Sequence, residues 1–588
     1  MPEIVVGPLL RHVGTTHATV WVETDAPCTV TVLGHDAATF TVSGHHYALV
    51  VVRDLRPGTA TPYDVRLAGE VRWPLPGAAD PWGPGRIRTL APGRPVRVAF
   101  GSCRYATPRA LPGSASYGPD ALDALAHRLA AAPDDQWPDL LLLLGDQVYA
   151  DETTQEVRDR IVARRGPDSE PRGEVADFEE YTWLYHQSWR DEQVRWLLST
   201  VPSAMVFDDH DVHDDWNTSG AWRRDAAGLP WWPGRVEAAL ASYWVYQHLG
   251  NLSPAELDAE PTWQRIRALP PGQDAGPLLR DLAVRADAEA DGAKGYRWSF
   301  RRDLGPVRLV VLDSRCGRML DSGRRSMLSD AEFDWVADQL ATGTGDGVEH
   351  VLVGTSLPWL LAPSLHDVEA WDERLAASSG RRRSAFGERL RRGADLEHWA
   401  AFGDSFDRLS ALLADLARGA AGPAPSTVSV LSGDVHHSYV ARARWPRPTR
   451  SVVHQVTCSP LHNRVPRPMR LGFGLAWSRA ARALARAVAA ASGVPGPGLR
   501  WDLVTGPWFG NALGSLVLDG PRASLVLEGT RDDADGPVLE VRAAVDLSGP
   551  VSPATAPDGR PTSRRPPPGS GPRAAGTPPT GASPPSTG

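Results

Sequence analysis

DLLLLLGDQVYAD, residues 139–151, is the stretch on which the fold turns. Five consecutive leucines, Leu140 to Leu144, leave no polar face, which is the pattern of a strand covered on both sides rather than half exposed. Gly145 then permits a turn, and Asp146 projects a carboxylate from the strand end. Other β-rich runs also end in polar motifs: SAMVFDDHD (203–211), VRLVVLDSR (307–315), VLVGTS (351–356) and TVSVLSGDVHH (427–437). Helical patterns lie between them, including DALDALAHRLAAA from Asp120 and LSDAEFDWVADQL from Leu328, where Ser329 and Glu332 have capping-box spacing. Strands alternating with helices predict an α/β layered core. In such cores ligands bind beyond the carboxyl ends of the strands, where each polar motif sits.

Upstream the pattern changes. ATVWVET (18–24) and CTVTVL (28–33) alternate apolar and polar residues as half-buried strands do. In DLRPGTATPYDVRL, Pro57 and Gly58 make a turn before Tyr63, Val65 and Leu67, which share one strand face like the corner of a fibronectin-like sandwich. Residues 1–90 are therefore expected to be a small all-β domain. The Pro/Gly-rich stretch from Trp73 to Arg86 marks the boundary, RVAFGSC (97–103) opens the larger domain at 95–547, and 548–588 reads as a disordered Pro/Gly/Ser/Thr tail. Between Arg470 and Gly493, Phe473, Trp477, Leu484 and Val488 share one helical face, and Arg479, Arg482 and Arg486 another. That pattern suits an anionic membrane, but packing on the domain is expected, since internal amphipathic helices usually pack, and no membrane contact is anticipated.

The bulk numbers exclude several classes. At 588 residues the chain exceeds one compact core, and 62 basic against 70 acidic side chains give a net charge of −8, which does not suggest nucleic-acid binding. Cys28, Cys103, Cys316 and Cys458 are too few and scattered for a disulfide framework, and no CxxC pair suggests structural zinc. MPEIVVGPLL lacks a signal-peptide pattern and no run approaches about 18 apolar residues, so a cytoplasmic protein is expected.

Four motifs carry chemistry. Asp146 in LGDQVYAD stands where a bridging metal ligand would, with Tyr149 and Asp151 near; an Asp capping the next turn would explain Asp146 alone equally well. VFDDHDVHDDWN packs Asp208, Asp209, Asp211, Asp214 and Asp215 with His210 and His213 into twelve residues. So many carboxylates beside a buried strand call for cations, the alternative being a solvated acidic loop. In LSGDVHHSYV, Asp434 and His436 are spaced to face one metal centre from a turn, with His437 turned away. FGSCR puts Cys103 at a strand end, followed by Arg104; a lone buried Cys is usually a small hydrophobe.

In this order the motifs resemble the PhoD-type alkaline phosphatases of the metallophosphoesterase superfamily, over roughly Ile4 to Leu547. The resemblance implies a four-layer metallophosphoesterase-type β-sandwich core flanked by helices, preceded by the small β domain. It further implies that Cys103, Asp146 and Tyr149 hold a ferric ion, that Asp146 bridges to calcium, and that Asp209, Asp434 and His436 complete the ligands, with other divalent metals as alternatives. Thiolate and phenolate suit a strongly Lewis-acidic ion and carboxylates suit calcium. His210 falls where relatives keep a phosphate-contacting histidine.

No GxSxG elbow is present, so a metal-bound hydroxide is the expected nucleophile on a small-molecule phosphoester, with His210 stabilising or protonating the leaving oxygen; Arg104 and Arg315 are candidates for holding phosphate, an ordinary surface arginine being the alternative reading of each. Thr355 and Ser356 stand where many superfamily members keep a metal-binding His, and Asp214 and Asp215 where relatives often have asparagines; the twin-arginine leader common in the family is not expected here. Of the tryptophans, Trp216, Trp222, Trp231, Trp232 and Trp359 are expected to pack a core or lid, or else to wall a pocket favouring diesters. Two rival readings are a phospholipid or nucleotide phosphodiesterase on the same scaffold, distinguished by loops near Trp231 and Arg324, and a non-catalytic binding protein.

Overall fold

In the computed structural model, Leu140–Leu144 is a fully buried strand whose alternate side chains enter two different cores. Leu142 and Leu144 point into a core with Phe100, Val206, Leu309, Val311, Leu352, Leu431 and Val456. Leu141 and Leu143 point oppositely, into a core formed with helices such as Ala121–Ala131 and Glu192–Thr200. Five leucines in a row are thus what a strand between two apolar layers requires.

That strand belongs to a six-stranded sheet in the order Ser203–Val206, Leu140–Leu144, Val96–Gly101, Ala512–Asp519, Arg522–Asp533, Gly536–Asp546. Its first three strands are parallel, with Leu142 opposite Phe100, and the rest run antiparallel. A seven-stranded sheet lies across the shared core, in the order Phe300–Leu304, Val307–Leu312, His350–Thr355, Thr427–Ser432, Val452–Thr457, Ser438–Arg444, Arg500–Trp508. Its other face, with Val310, Val351, Val353 and Val430, is covered by helices including Asp330–Ala341 and Gly403–Arg418. The layers run helix, sheet, sheet, helix, as expected for this fold class.

The N-terminal strands form a four-stranded sheet around Ile4–Val13 and Ala18–Thr24, and a second around Thr29–Val32 and Val65–Leu67. Tyr63, Val65 and Leu67 enter their joint core. ATVWVET differs from its alternating pattern, because all seven residues are buried. Val20 and Val22 face the local core, while Trp21 packs among the helices that cover the six-stranded sheet. Alternation in sequence therefore marked two apolar environments, with polar Thr19 and Glu23 buried as well.

The structure describes residues 1–548 except 75–81, 107–115, 293–294, 321–324, 342–346, 421, 465–466 and 535, all within one unit, Met1–Val551. The expected tail, Arg324 and half of the Trp73–Arg86 boundary lie outside the described residues. Among the described residues all four cysteines are free, and no helix is long and apolar enough to cross a membrane. The Arg470–Gly493 segment forms the helices Arg467–Ala476 and Arg479–Ala491.

Candidate metal centre

The carboxyl ends of parallel strands from both sheets converge. The amide of Cys103 donates to the Gly145 carbonyl at 3.1 Å, that of Arg104 to the Asp146 carbonyl at 3.0 Å, and that of Gly433 to the Ser356 carbonyl at 2.9 Å. Cys103, Asp146, Asp434 and His436 all adopt positive φ, between 48° and 66°. Such backbone costs on the order of 1–3 kcal/mol per residue and persists only where the surroundings over-determine it. Gly145, at φ 106°, allows the turn, since a Cβ there would stand 2.7 Å from that of Asp208.

Asp146, Asp208 and Asp209 bring carboxylate oxygens within 4.8 Å of one another. Asp146 Oδ1, Asp208 Oδ2 and Asp209 Oδ1 are buried without a hydrogen-bond partner. Burial pushes the carboxyls of Asp146 and Asp208 well above the usual range; Asp208 adds to the shift of Asp146, while the Arg315 guanidinium works against that of Asp208. The Cys103 thiol, fully buried, is pushed up by the same desolvation and by Asp146 and Asp434. Ser102 and Ser459 hydroxyls lie 3.1 and 3.3 Å from its sulfur. The Tyr149 hydroxyl accepts from Asn463 Nδ2 at 2.8 Å, and burial, then Asp146, raises its pKa.

His436 stays neutral, burial lowering its pKa to about 4. Asp434 receives His398 Nε2 at 3.1 Å, and although burial disfavours its charge, His398 and Arg315 hold it at about 2. A thiol, a phenol, unpartnered carboxylates and a neutral imidazole form a donor set that fits cations, whose charge would reverse the upward shifts.

His210 Nδ1 lies 2.9 and 3.1 Å from the two Asp151 oxygens, and its ring lies over Tyr149 at 4.7 Å. Burial opposes its charge, but Asp151, then Asp209 and Asp146, hold it protonated well above the ordinary range. Asp211 accepts the amides of Asp146 and Asp208 at 3.1 and 2.9 Å, bracing two motifs from behind. Asp215 donates its amide to Asp209, and Asp214 is exposed. His437 turns away onto Phe473, at 4.5 Å between ring centroids. Thr355 and Ser356 hydrogen-bond to Ser314. Trp216 packs on Phe207, Trp222 and Trp232 bracket His213, and Trp359 is buried beside Phe406.

The two arginines occupy places that strand ends alone do not foretell. Arg104 directs its guanidinium to Asp120 at 2.8 Å and to the Ser188 hydroxyl and carbonyl at 2.9 Å. Arg315 is fully buried among carboxylates, hydrogen-bonded to Asp208, 2.5 Å from Glu397 Oε1, 3.2 Å from Asp209 Oδ1 and 3.6 Å from Asp434 Oδ1. Arg318 shares Glu397 at 3.1 Å. No sequence signal marks Glu397 and His398, because GADLEHWA follows a helix, Arg381–Gly393, and ends no strand. Asn463 and Ser459 reach the centre from just beyond the carboxyl end of the seven-stranded sheet's Val452–Thr457 strand.

A family profile described as PhoD-like phosphatase matches residues 125–492, and one described as a domain of unknown function, DUF7800, matches residues 1–83. A solved structure of PhoD is similar over 95% of this chain and 94% of its own, at 13% identity and a TM-score of 0.55, which supports the fold. A purple acid phosphatase from yellow lupin (Lupinus luteus) seeds aligns over 92% of this chain and 74% of its own, at 11% identity and a TM-score of 0.43, too loosely to argue from. No curated protein matches.

Proposed function

Because the chain belongs to the PhoD-like phosphatase family, a family of metal-dependent phosphoester hydrolases, we propose that its cations are a ferric ion and a calcium ion held by the cluster described above. Cys103, Asp146 and Tyr149 would hold the first; Asp209, Asp434 and His436 would complete the pair, with Asp146 shared. The observation that carries this reading is the cluster of buried carboxylates, with Asp146 Oδ1 and Asp208 Oδ2 lacking any hydrogen-bond partner, beside a buried thiol and phenol. Soft and phenolic donors suit ferric iron, and carboxylate oxygens suit calcium. When bound, the cations would supply Lewis acidity and a lowered water pKa at this place.

The chain's own residues supply the rest. His210, kept protonated by Asp151, is positioned to hydrogen-bond a phosphoryl or leaving-group oxygen and to give it a proton. Asp211 fixes the Asp146 and Asp208 backbones, so that the acidic motif and LGDQVYAD keep a constant separation. Arg315 is assigned as the counter-charge of the carboxylate cluster, and Arg104 as a brace between Asp120 and Ser188. In this reading residues 1–90 are a distinct β domain and 95–547 carry the hydrolase.

Elemental analysis of purified protein, with Asp146→Asn as the paired variant, tests the assignment. Near-stoichiometric iron and calcium are expected in the natural sequence. The variant should lose at least one ion and about 10³-fold in kcat, on the scale of losing one well-placed charge-stabilising group, with its circular dichroism unchanged. Wild-type turnover in Asp146→Asn would remove the site assignment.

A further inference from the structure

The helical pair that follows the metal centre shows solvent the wrong face. Ser478 caps the second helix, Arg479–Ala491, through the Ala481 amide. That helix is fastened on one side only: Ala485 and Ala489 are buried, and Arg486 pairs with Asp367 at 2.6 Å on the helix Pro363–Ala376. With 3.6 residues per turn, Ala483, Leu484, Ala487 and Val488 fall on the opposite side, and all four are exposed. The first helix, Arg467–Ala476, adds Leu471 at 72% and Leu475 at 67% exposure, beside Leu484 at 69%. A helix packed to complete a core turns its apolar stripe inward; here Arg486 points to the domain and the leucines to water.

The charge of this segment selects the occupant. Residues 464–500 hold seven arginines and no carboxylate, in a chain whose net charge is −8. A second copy laid on this face would bring like charges together, and nucleic acid offers leucines nothing to bury. A surface with phosphates above and hydrocarbon below satisfies both halves.

We propose that these two helices are an interfacial anchor that lies in the plane of an anionic phospholipid bilayer, with Leu471, Leu475, Leu484 and Val488 entering the headgroup boundary and Arg479 and Arg482 meeting lipid phosphates. At 10 and 13 residues neither helix spans a bilayer. The anchor adjoins the metal centre, because Phe473 stacks on His437 and Asn463, just upstream, holds Tyr149. Docking therefore brings the site to the headgroup layer. The sequence pattern alone favours packing on the domain; what the structure adds is that the second helix packs through Ala485, Arg486 and Ala489 and leaves Leu484 and Val488 to solvent.

Co-sedimentation of the full chain with vesicles tests this directly, independently of hydrolysis. Equimolar phosphatidylglycerol and phosphatidylcholine vesicles should bind the protein roughly tenfold or more tightly than pure phosphatidylcholine vesicles, with binding weakened by salt. The double variant Leu484→Glu/Val488→Glu should lose about tenfold or more of that binding, at unchanged Tm and unchanged hydrolysis of a soluble phosphoester. Arg479→Gln/Arg482→Gln should bring binding down toward the zwitterionic level. Equal binding to both vesicles, no binding, or a dimer in sedimentation velocity that Leu484→Glu/Val488→Glu dissociates would each overturn the proposal.

Discussion

Arg315→Met isolates the electrostatics of the centre. The guanidinium is fully buried and faces Asp208, Asp209, Glu397 and Asp434, and methionine keeps the length of the side chain without its charge. Removing one partner of a buried ion pair costs about 3–5 kcal/mol, since the charge left behind has no compensation. Asp208 and Asp209 soften this by protonation, their carboxyls already standing above the usual range through burial. Asp434, at about 2, and Glu397, which Arg315 and Arg318 hold low against burial, do not. The lower end of that range is therefore expected in metal-free protein. Domains of 150–250 residues lose about 2–4 °C per kcal/mol, so this longer chain should lose about 5 °C in Tm. Bound cations neutralise the same carboxylates, and the loss should shrink to less than half after reconstitution. Differential scanning calorimetry of both proteins, in chelator and with iron and calcium restored, reads the difference. An equal Tm loss in the two conditions, or none in chelator, would refute the idea that Arg315 and the cations share one set of charges.

Asp151→Asn should move the alkaline limb of the kcat pH profile down by about one unit or more, because the protonated His210 is lost as pH rises through its elevated pKa and Asp151 is what elevates it; an unmoved limb would detach His210 from proton transfer. A second titratable lock joins the N-terminal strands to the helix Phe178–Trp189: His45 reaches Glu23 at 3.1 Å and Glu179 at 2.7 Å, and His186 reaches Glu23 at 3.0 Å. Burial opposes charge on both His45 and Glu23, but their hydrogen bonds raise the first above 6.5 and lower the second below 4.5. The stabilisation is thus complete between those two values, fades as pH rises through the folded pKa of His45, and fades as pH falls through that of Glu23. The Tm gap between the natural sequence and His45→Gln should accordingly be widest near pH 5–6 and narrow by pH 8; a gap independent of pH would sink the lock.

Much of the framework is legible in the sequence. The leucine run predicted a strand between two apolar layers, and each polar motif after such a run proved to sit at the converging strand ends, because apolar pattern and strand termination are local properties of the chain. ATVWVET departs from expectation by one step: alternation shows that two faces differ, and only the helices packed on Trp21 reveal that neither meets water. What stayed hidden was every pairing of charge with charge. Arg104 and Arg315 follow strand ends in the same way, yet one is held by Asp120 and Ser188 and the other by carboxylates drawn from three separate segments. His398 reaches Asp434 across 36 residues with no strand end to announce it. The Arg479–Ala491 helix is amphipathic in sequence whichever way it faces, and its orientation follows from Asp367 and the helix it packs against. Sequence determined which segments are buried and where polar groups emerge; tertiary structure alone decided which of those groups meet, because a long-range ion pair depends on distances that no local periodicity encodes.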